Sequence, residues 1–258
     1  MAQGREVSPP RDVRTRFSDR AEDYAKYRPG YPEAMFDDLA LVAGTVVADV
    51  GAGTGLSSEP FMNRGCVVWA VEPNDAMRQE AHRRLGGRPG YRAVAGSAEA
   101  TGLSDASVDL VAAGQAFHWF DRSAARAEFV RILRPRGRAV VFWNVREVDG
   151  SPFLRDYEEL LQAHATDYRE VDHRNIGADA LAGFFGGSYV TRRYPNEQTF
   201  DFEGLAGRLR SSSYTPPPGH PGHRAMMERL ARLFRDHAED GSVCLRYATE
   251  AHLGELRA

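Results

Sequence analysis

Three glycines at alternate positions, Gly51, Gly53 and Gly55, follow the run Val46-Val47-Ala48-Asp49-Val50. An apolar strand ending in an acid and then a glycine turn lets backbone N–H groups approach a ligand closely, because glycine tolerates positive φ. The spacing narrows the ligand. A dinucleotide-binding turn reads G-x-G-x-x-G. Here Leu56 stands where the last glycine of that pattern belongs, and Gly55 arrives one residue early. No lysine follows the turn, so it is not a triphosphate cradle. A second apolar run, Val67–Val71, ends in Glu72 about 20 residues on. A carboxylate there can accept two hydrogen bonds from a vicinal diol, and such charge-assisted bonds are the stronger class. The acid by itself does not separate one ribose-bearing cofactor from another; the glycine spacing does.

The second unusual stretch is Gln115-Ala116-Phe117-His118-Trp119-Phe120, where aromatics and a histidine crowd the exit of a fourth apolar run. The imidazole of His118 titrates near neutrality and suits a general base, or equally a hydrogen-bond donor that packs the loop. Arg208, Ser211, Ser213 and Tyr214 form a polar cluster, read either as substrate recognition or as a solvated face. His220-Pro221-Gly222-His223 has the look of a metal pair, but proline and glycine deny it a helix and no cysteine is near. No metal is expected.

These residues need a frame. Thr45–Val50, Val67–Val71, Tyr91–Ala95, Val108–Ala112 and Arg138–Trp143 read as strands, near-continuous apolar runs buried on both faces. Helices alternate with them: one reaching about Arg64, Ala76–Leu85 capped by Asn74-Asp75, and Ala124–Leu133 stopped by Pro135 and Gly137. That alternation predicts βαβ units, a parallel sheet and ligands at the carboxyl ends of the strands. Pro32 to Val42 reads as a helix opened by proline. Beyond Asn144 the pattern loosens into a helix Phe153–Ala165, a helical segment Leu205–Arg210, a loop Ser211 to Gly222 and an amphipathic helix Arg224–Asp240. Tyr189–Phe200 and Val243–Glu250 read as strands, an antiparallel pair closing the sheet. The expected α/β organisation over 1–258 is a single domain: a frayed 1–16, lid helices in 17–42, a cofactor-binding core in 43–145, and a substrate-side insertion with closing strands in 146–258.

Composition sets the outer bounds. The 258 residues are 42% hydrophobic and 27% charged with a formal net charge of -3. That is enough for one α/β domain with a sizeable core, and it points to neither nucleic acid nor an anionic membrane as partner. Two cysteines without a C-x-x-C argue against a disulfide framework. No apolar segment suits a signal peptide or a bilayer span. A cytoplasmic monomer or homodimer acting on a small-molecule substrate is the expectation.

The D-x-G-x-G-x-G turn resembles motif I of the class I S-adenosylmethionine-dependent methyltransferases. Leu103–Val111, small polar residues leading into a strand that opens on Asp109, resembles motif II. Arg131-Ile132-Leu133-Arg134-Pro135-Arg136-Gly137 is similar to the family's connection into strand five. Phe117–Phe120, together with Tyr24–Pro32, looks like the branch that includes trans-aconitate methyltransferase-like proteins. The resemblance covers about residues 17–145 and implies a Rossmann-like, seven-stranded, mostly parallel sheet whose last strand is antiparallel.

It also implies roles. Asp49 would order the loop below the methionine amino group; Gly51, Ala52, Gly53 and Gly55 would pass under the methionine and ribose; Glu72 would hold the ribose, with Pro73 and Met77 beside it. Ser97, Ala98 and Glu99 would hold the adenine edge, although the family usually has aspartate where Ser97 stands. Gln115 and Ala116 would complete the cofactor wall, and Tyr24 and Arg28 would cover it, Arg28 pairing with the cofactor carboxylate. Tyr27, Phe117, Trp119, Trp143, Arg208 and Tyr214 would face the substrate, and His118 would be the catalytic candidate. The reaction implied is in-line methyl transfer from S-adenosylmethionine to an oxygen of a carboxylate or hydroxyl, releasing S-adenosylhomocysteine. Nitrogen or carbon methylation, a dehydrogenase using NAD, and a non-catalytic protein that keeps the pocket are the competing readings.

Overall fold

A computed structural model describes residues 21–166, 168 and 176–256. Residues 1–16, expected to fray, and the start of the expected lid at Phe17 lie outside the described residues. The elements run α1 (Ala21–Tyr27), α2 (Glu33–Asp37), β1 (Val46–Val50), α3 (Ser58–Asn63), β2 (Val67–Val71), α4 (Asp75–Leu85), β3 (Tyr91–Val94), β4 (Val108–Gly114), a 3-10 turn (Phe117–Trp119), α5 (Arg122–Ile132) and β5 (Leu133–Arg146). They continue as α6 (Pro152–His164), α7 (Ala178–Phe185), β6 (Tyr189–Phe200), α8 (Phe202–Arg210), α9 (Pro221–His237) and β7 (Val243–Glu255).

The seven strands form one sheet in the order β3-β2-β1-β4-β5-β7-β6. β1 to β5 pair in parallel, and β7 runs antiparallel to both β5 and β6. This is the expected Rossmann-like fold. The chain winds outward from β1 to β3, then returns to β4 on the other side of β1. The carboxyl ends of β1 and β4 therefore splay their loops apart, which opens the crevice where such sheets bind ligands.

Period-two alternation decides which layer each strand residue serves. Ala48, Val50, Val111, Ala113, Val141 and Trp143 pack on one face with Phe129, Ile132, Phe184 and Phe185 of α5 and α7. Val47, Val68, Leu110, Ala112, Val140 and Phe142 pack on the other with Met35, Phe36, Phe61, Ala81 and Leu85 of α2, α3 and α4. Phe36 meets Phe61 and Phe142 edge-to-face, with ring centroids 5.0 and 6.2 Å apart. A third cluster joins α6, α8 and α9 to the inner ends of β6 and β7 through Tyr157, Leu161, Leu209, Leu230 and Tyr247. Among the described residues, no helix is long and apolar enough to cross a membrane.

Several boundaries move for identifiable reasons. α2 ends at Asp37 rather than reaching Val42, and it is not part of a lid. Met35 and Phe36 are fully buried, so α2 belongs to the core layer and only α1 lies over the crevice. α5 stops before Pro135 as expected, yet Leu133 already pairs with Val108. The strand then resumes at Arg138 opposite Leu110, so the connection is a bulged part of β5. α9 begins at Pro221, not Arg224: proline is tolerated at a first helical position, and His220 Nδ1 accepts from Gly222 N at 3.0 Å to cap the helix. His223 Nδ1 lies 2.8 Å from the Pro216 carbonyl oxygen, so these two histidines serve a helix cap and a loop tie.

One buried acid ties the loop after β3 to α5. Glu128 Oε1 accepts from Thr101 N at 2.8 Å and from the Thr101 hydroxyl at 2.5 Å, and Arg131 donates to both of its oxygens. The Arg131 guanidinium first, aided by Thr101, holds the carboxyl down at about 2. A carboxyl lowered in the folded state contributes stability that is present above its ordinary value of 4.5 and is lost as pH falls from there toward about 2. Glu128→Gln is therefore expected to lower the urea midpoint at neutral pH and to flatten the loss of stability across that acid window. Parallel pH profiles for the variant and the parent would overturn this linkage.

Candidate active site

The turn after β1 is held from below by a buried acid. Asp49 is fully buried, and its Oδ2 accepts from the hydroxyls of Ser57 at 2.8 Å and Ser58 at 2.6 Å. The chain is thereby folded back from β1 into α3. Burial pushes the Asp49 carboxyl up to about 6, with the two hydroxyls opposing the rise, and its Oδ1 has no partner. Asp49 thus ties the turn to α3 from beneath and lines neither of the two adjoining cavities.

All three glycines of the turn have positive φ: +71 at Gly51, +56 at Gly53 and +83 at Gly55. Each meets a different neighbour. A Cβ on Gly51 would sit 2.5 Å from Ala116 Cβ, and one on Gly55 would sit 2.6 Å from Leu85 Cδ1. These two glycines admit the exit of β4 and helix α4. A Cβ on Gly53 would meet nothing nearer than Met77 Cε at 3.7 Å and would project into open space that both cavities share.

Glu72, at the end of β2, is 8% exposed and bonds the same turn. Its Oε2 accepts from Gly53 N at 2.9 Å and its Oε1 from Asn74 N at 2.8 Å. Burial raises the carboxyl, and the two N–H groups counter part of that rise. Each oxygen keeps a further lone pair for a ligand.

Two adjoining cavities share Tyr24, Gly51, Gly53, Gly114 and Gln115. The larger, about 870 Å³ including its open mouth, is lined further by Glu72, Pro73, Met77, Ser97, Ala98, Glu99, Ala116, Trp119 and Phe120. The smaller continues toward Arg28, Pro29, Tyr31, Ala52, Leu56, Ser57 and Asn144. The cofactor residues expected from sequence thus converge, with two exceptions, Asp49 and Gly55, which support the walls from behind. Glu99 adds a structural bond, Oε1 accepting from Asp121 N at 3.0 Å.

The expected substrate residues fare differently. Phe117 is buried against Phe184, with centroids 4.7 Å apart, and Trp143 lies in the core against His252, with centroids 4.8 Å apart. Both point to the wrong face of the sheet to touch a ligand. Tyr27 packs onto α8, where a Cβ on Gly207 would come within 2.3 Å of its ring, so it is a strut. Trp119 lines the larger cavity, on the cofactor side. His118 lines neither cavity: its ring lies against Trp119 with centroids 4.6 Å apart. The short 3-10 turn aims Ala116 and Trp119 inward and Phe117 into the core, and leaves His118 outside. Arg208 and Tyr214 lie in the insertion beyond Arg28; Tyr214 packs edge-on against Tyr168.

Asn144 and Tyr31, neither anticipated as a site residue, complete the smaller cavity beside Gln115. Gln115 has φ +53, a left-handed conformation uncommon outside glycine. Its N donates to the Phe142 carbonyl at 2.8 Å and its Oε1 accepts from Asn144 N at 3.0 Å, which holds the strained turn in place. Asn144 donates to the Gly30 carbonyl at 3.1 Å and accepts from Thr249 Oγ1 at 2.6 Å, linking the lid to β7. Tyr31 enters beside Gly114, where a Cβ would come within 3.0 Å of its hydroxyl. Asn144 directly follows the apolar end of β5, a signal that the strand-end rule contains. Tyr31 sits in the Tyr24–Pro32 segment, where the resemblance singled out Tyr24, Tyr27 and Arg28 but not Tyr31.

Residues 48–141 match the family described as a methyltransferase domain. An uncharacterized methyltransferase of Mycobacterium tuberculosis is 39% identical over 151 residues, which are 58% of this chain and 60% of that protein. Demethylmenaquinone methyltransferase of Renibacterium salmoninarum is 35% identical over 128 residues, covering 49% of this chain and 52% of that protein. The chain spans about three fifths of the length of the first of these relatives. A solved structure from Anaeromyxobacter dehalogenans, assigned as a type II methyltransferase, aligns with a TM-score of 0.69 at 25% identity over 89% of this chain and 98% of that one. With the glycine turn, the strand-end acid and the strand order already in place, these likenesses agree: residues 48–141 match a methyltransferase domain, and the chain is similar to methyltransferases in sequence and in fold.

Proposed function

We propose that the protein transfers the methyl group of S-adenosylmethionine to an oxygen, carboxylate or hydroxyl, of a small organic acceptor. The observation that carries this reading is the pairing of Gly53 and Glu72. A glycine whose missing side chain leaves the cavity open stands beside a buried carboxylate that keeps lone pairs for a diol. A ribose fits that pair. Ser97 and Ala98, with Met77 and Pro73 behind them, suit the adenine edge at the far end of the larger cavity. Arg28, whose Nε is buried without a partner, suits the cofactor's carboxylate at the near end.

When bound, the cofactor supplies a sulfonium whose methyl is open to in-line attack by a nucleophile. The protein's part is to hold that nucleophile in line and to keep water out. Such positioning is worth up to about 7–11 kcal/mol. α1 closes the crevice through Tyr24 and Arg28 and is tied down in turn: Arg28 Nη2 donates to the Ser211 carbonyl at 3.2 Å, and Gln198 Nε2 to the Tyr27 carbonyl at 3.3 Å. The acceptor then enters where Tyr31, Gln115 and Asn144 meet. His118 stands outside that junction, so the proposal assigns it no general-base role.

Two measurements test the reading. In calorimetric titrations with S-adenosylmethionine, Gly53→Val and Glu72→Gln are each expected to weaken binding by about tenfold or more; unchanged affinity in both variants overturns the cofactor assignment. Incubation with S-adenosylmethionine and a panel of carboxylic acids, phenols and amines is expected to release S-adenosylhomocysteine with at least one oxygen acceptor. Tight cofactor binding with no turnover of any member supports the non-catalytic alternative instead.

A further inference from the structure

Arg28, which lines the smaller cavity, and Arg208, whose charge acts on it, have no carboxylate partner among the described residues. Arg28 spends Nη2 on the Ser211 carbonyl and leaves its Nε buried and unbonded. Arg208, on α8, is 6% exposed; its Nε donates to the Tyr247 hydroxyl at 3.2 Å and its Nη1 to Ser212 Oγ at 2.9 Å. Every one of these acceptors is neutral. The contrast with Arg146, which the same insertion pairs with Glu158, shows that a counter-ion is supplied where the fold itself requires one.

Leaving a charge desolvated and unpaired is costly, and at Arg28 the second arginine adds to that cost, whereas Arg208 itself is raised, its burial outweighed by Tyr247, Tyr214 and Tyr157. Arg28 is pulled below its ordinary range first by burial and then by the charge of Arg208. The carboxyl-terminal end of α8, whose Ser211 carbonyl Arg28 engages, returns only partial negative charge. The region thus carries two positive charges whose hydrogen-bond acceptors among the described residues are all neutral. On the methyltransferase reading, the cofactor's own carboxylate answers Arg28.

Arg208 then awaits a second anion. With the N–H of Nε and one of Nη1 committed, three of its five N–H donors remain, one on Nη1 and two on Nη2, adjacent nitrogens of the kind that bind a carboxylate through both oxygens. Tyr214 and Tyr247 neighbour both arginines, and Tyr157 neighbours Arg208, so the surroundings are aromatic as well as cationic. A single fork suits a carboxylate better than a phosphate dianion, which asks for more donors.

We propose that the methyl acceptor carries a carboxylate gripped by Arg208, so that the protein selects organic acids over their neutral amides. This rests on the methyltransferase reading above. The test uses the full chain with S-adenosylmethionine and a panel of aromatic and aliphatic carboxylic acids, each matched with its primary amide. S-adenosylhomocysteine release is the readout, and calorimetry with S-adenosylhomocysteine alone reports the cofactor site.

Acids are expected to be used at least about 30-fold better than their amides. Arg208→Gln is expected to raise KM for the best acid about 100-fold while holding S-adenosylhomocysteine affinity within about threefold. Arg208→Lys, which keeps the charge but loses the fork, is expected to recover part of that loss. Equal use of acids and amides overturns the inference. So does a loss of S-adenosylhomocysteine affinity in Arg208→Gln as large as the loss for the acid, because Arg208 would then serve the cofactor. If Arg208→Gln does not fold, the acid–amide comparison on the unaltered protein decides. Failure of that protein to bind S-adenosylhomocysteine overturns the methyltransferase reading itself, whereas cofactor binding with neutral acceptors preferred overturns only the acid selection.

Discussion

The hydrogen bond from Gly53 N to Glu72 Oε2, 2.9 Å long, joins the exits of β1 and β2. Gly53 holds a positive φ there, and Glu72 is held through its other oxygen by the N–H of Asn74, the cap of α4. Beneath it Asp49 binds Ser57 and Ser58 and folds the chain back into α3. The two acids act on opposite sides of one seven-residue turn. Gly51 N and Ala52 N both donate to the Val71 carbonyl, at 2.9 and 3.1 Å, so the turn is also tied through its backbone to the end of β2.

Charge is distributed along the site with a clear polarity. The end formed by β1 and β2 is acidic: Asp49 and Glu72 are both buried, and both carboxyls are raised by that burial. The end formed by α1 and the insertion is cationic, with Arg28 and Arg208. A ligand that is a diol at one end and a carboxylate at the other is oriented by this gradient before any shape-specific contact is made. The lid contributes to the same polarity, since Arg28 is carried just beyond α1 and its guanidinium reaches the end of α8.

The parallel half of the fold was legible because its signals are local. A strand that is apolar throughout, a glycine turn and a capped helix each announce themselves within a few residues, and strand-end chemistry places Glu72 and the Ser97 loop without reference to distant parts of the chain. The aromatic positions were not legible in the same way. Phe117 and Trp119 are two residues apart and differ in fate because a 3-10 turn breaks the period of the strand. Trp143 and Asn144 are adjacent and point to opposite faces, so the polar neighbour lines the cavity and the aromatic one enters the core. An aromatic residue near a ligand site satisfies either environment; residue type alone does not choose.

By itself the sequence determined the α/β alternation, the strand-end turn and acid, and the cofactor class that their spacing admits, because each depends on neighbours within one βα unit. Only the tertiary structure decided what gathers around Arg28 and the smaller cavity. Arg28 and Arg208 are separated by most of the chain and meet because α8 packs against α1, with Gly207 leaving room for the Tyr27 ring. Asn144, Thr249 and Gly30 come together because β7 inserts antiparallel beside β5. Those contacts are long-range consequences of sheet order and helix packing, and no local pattern of residues encodes them.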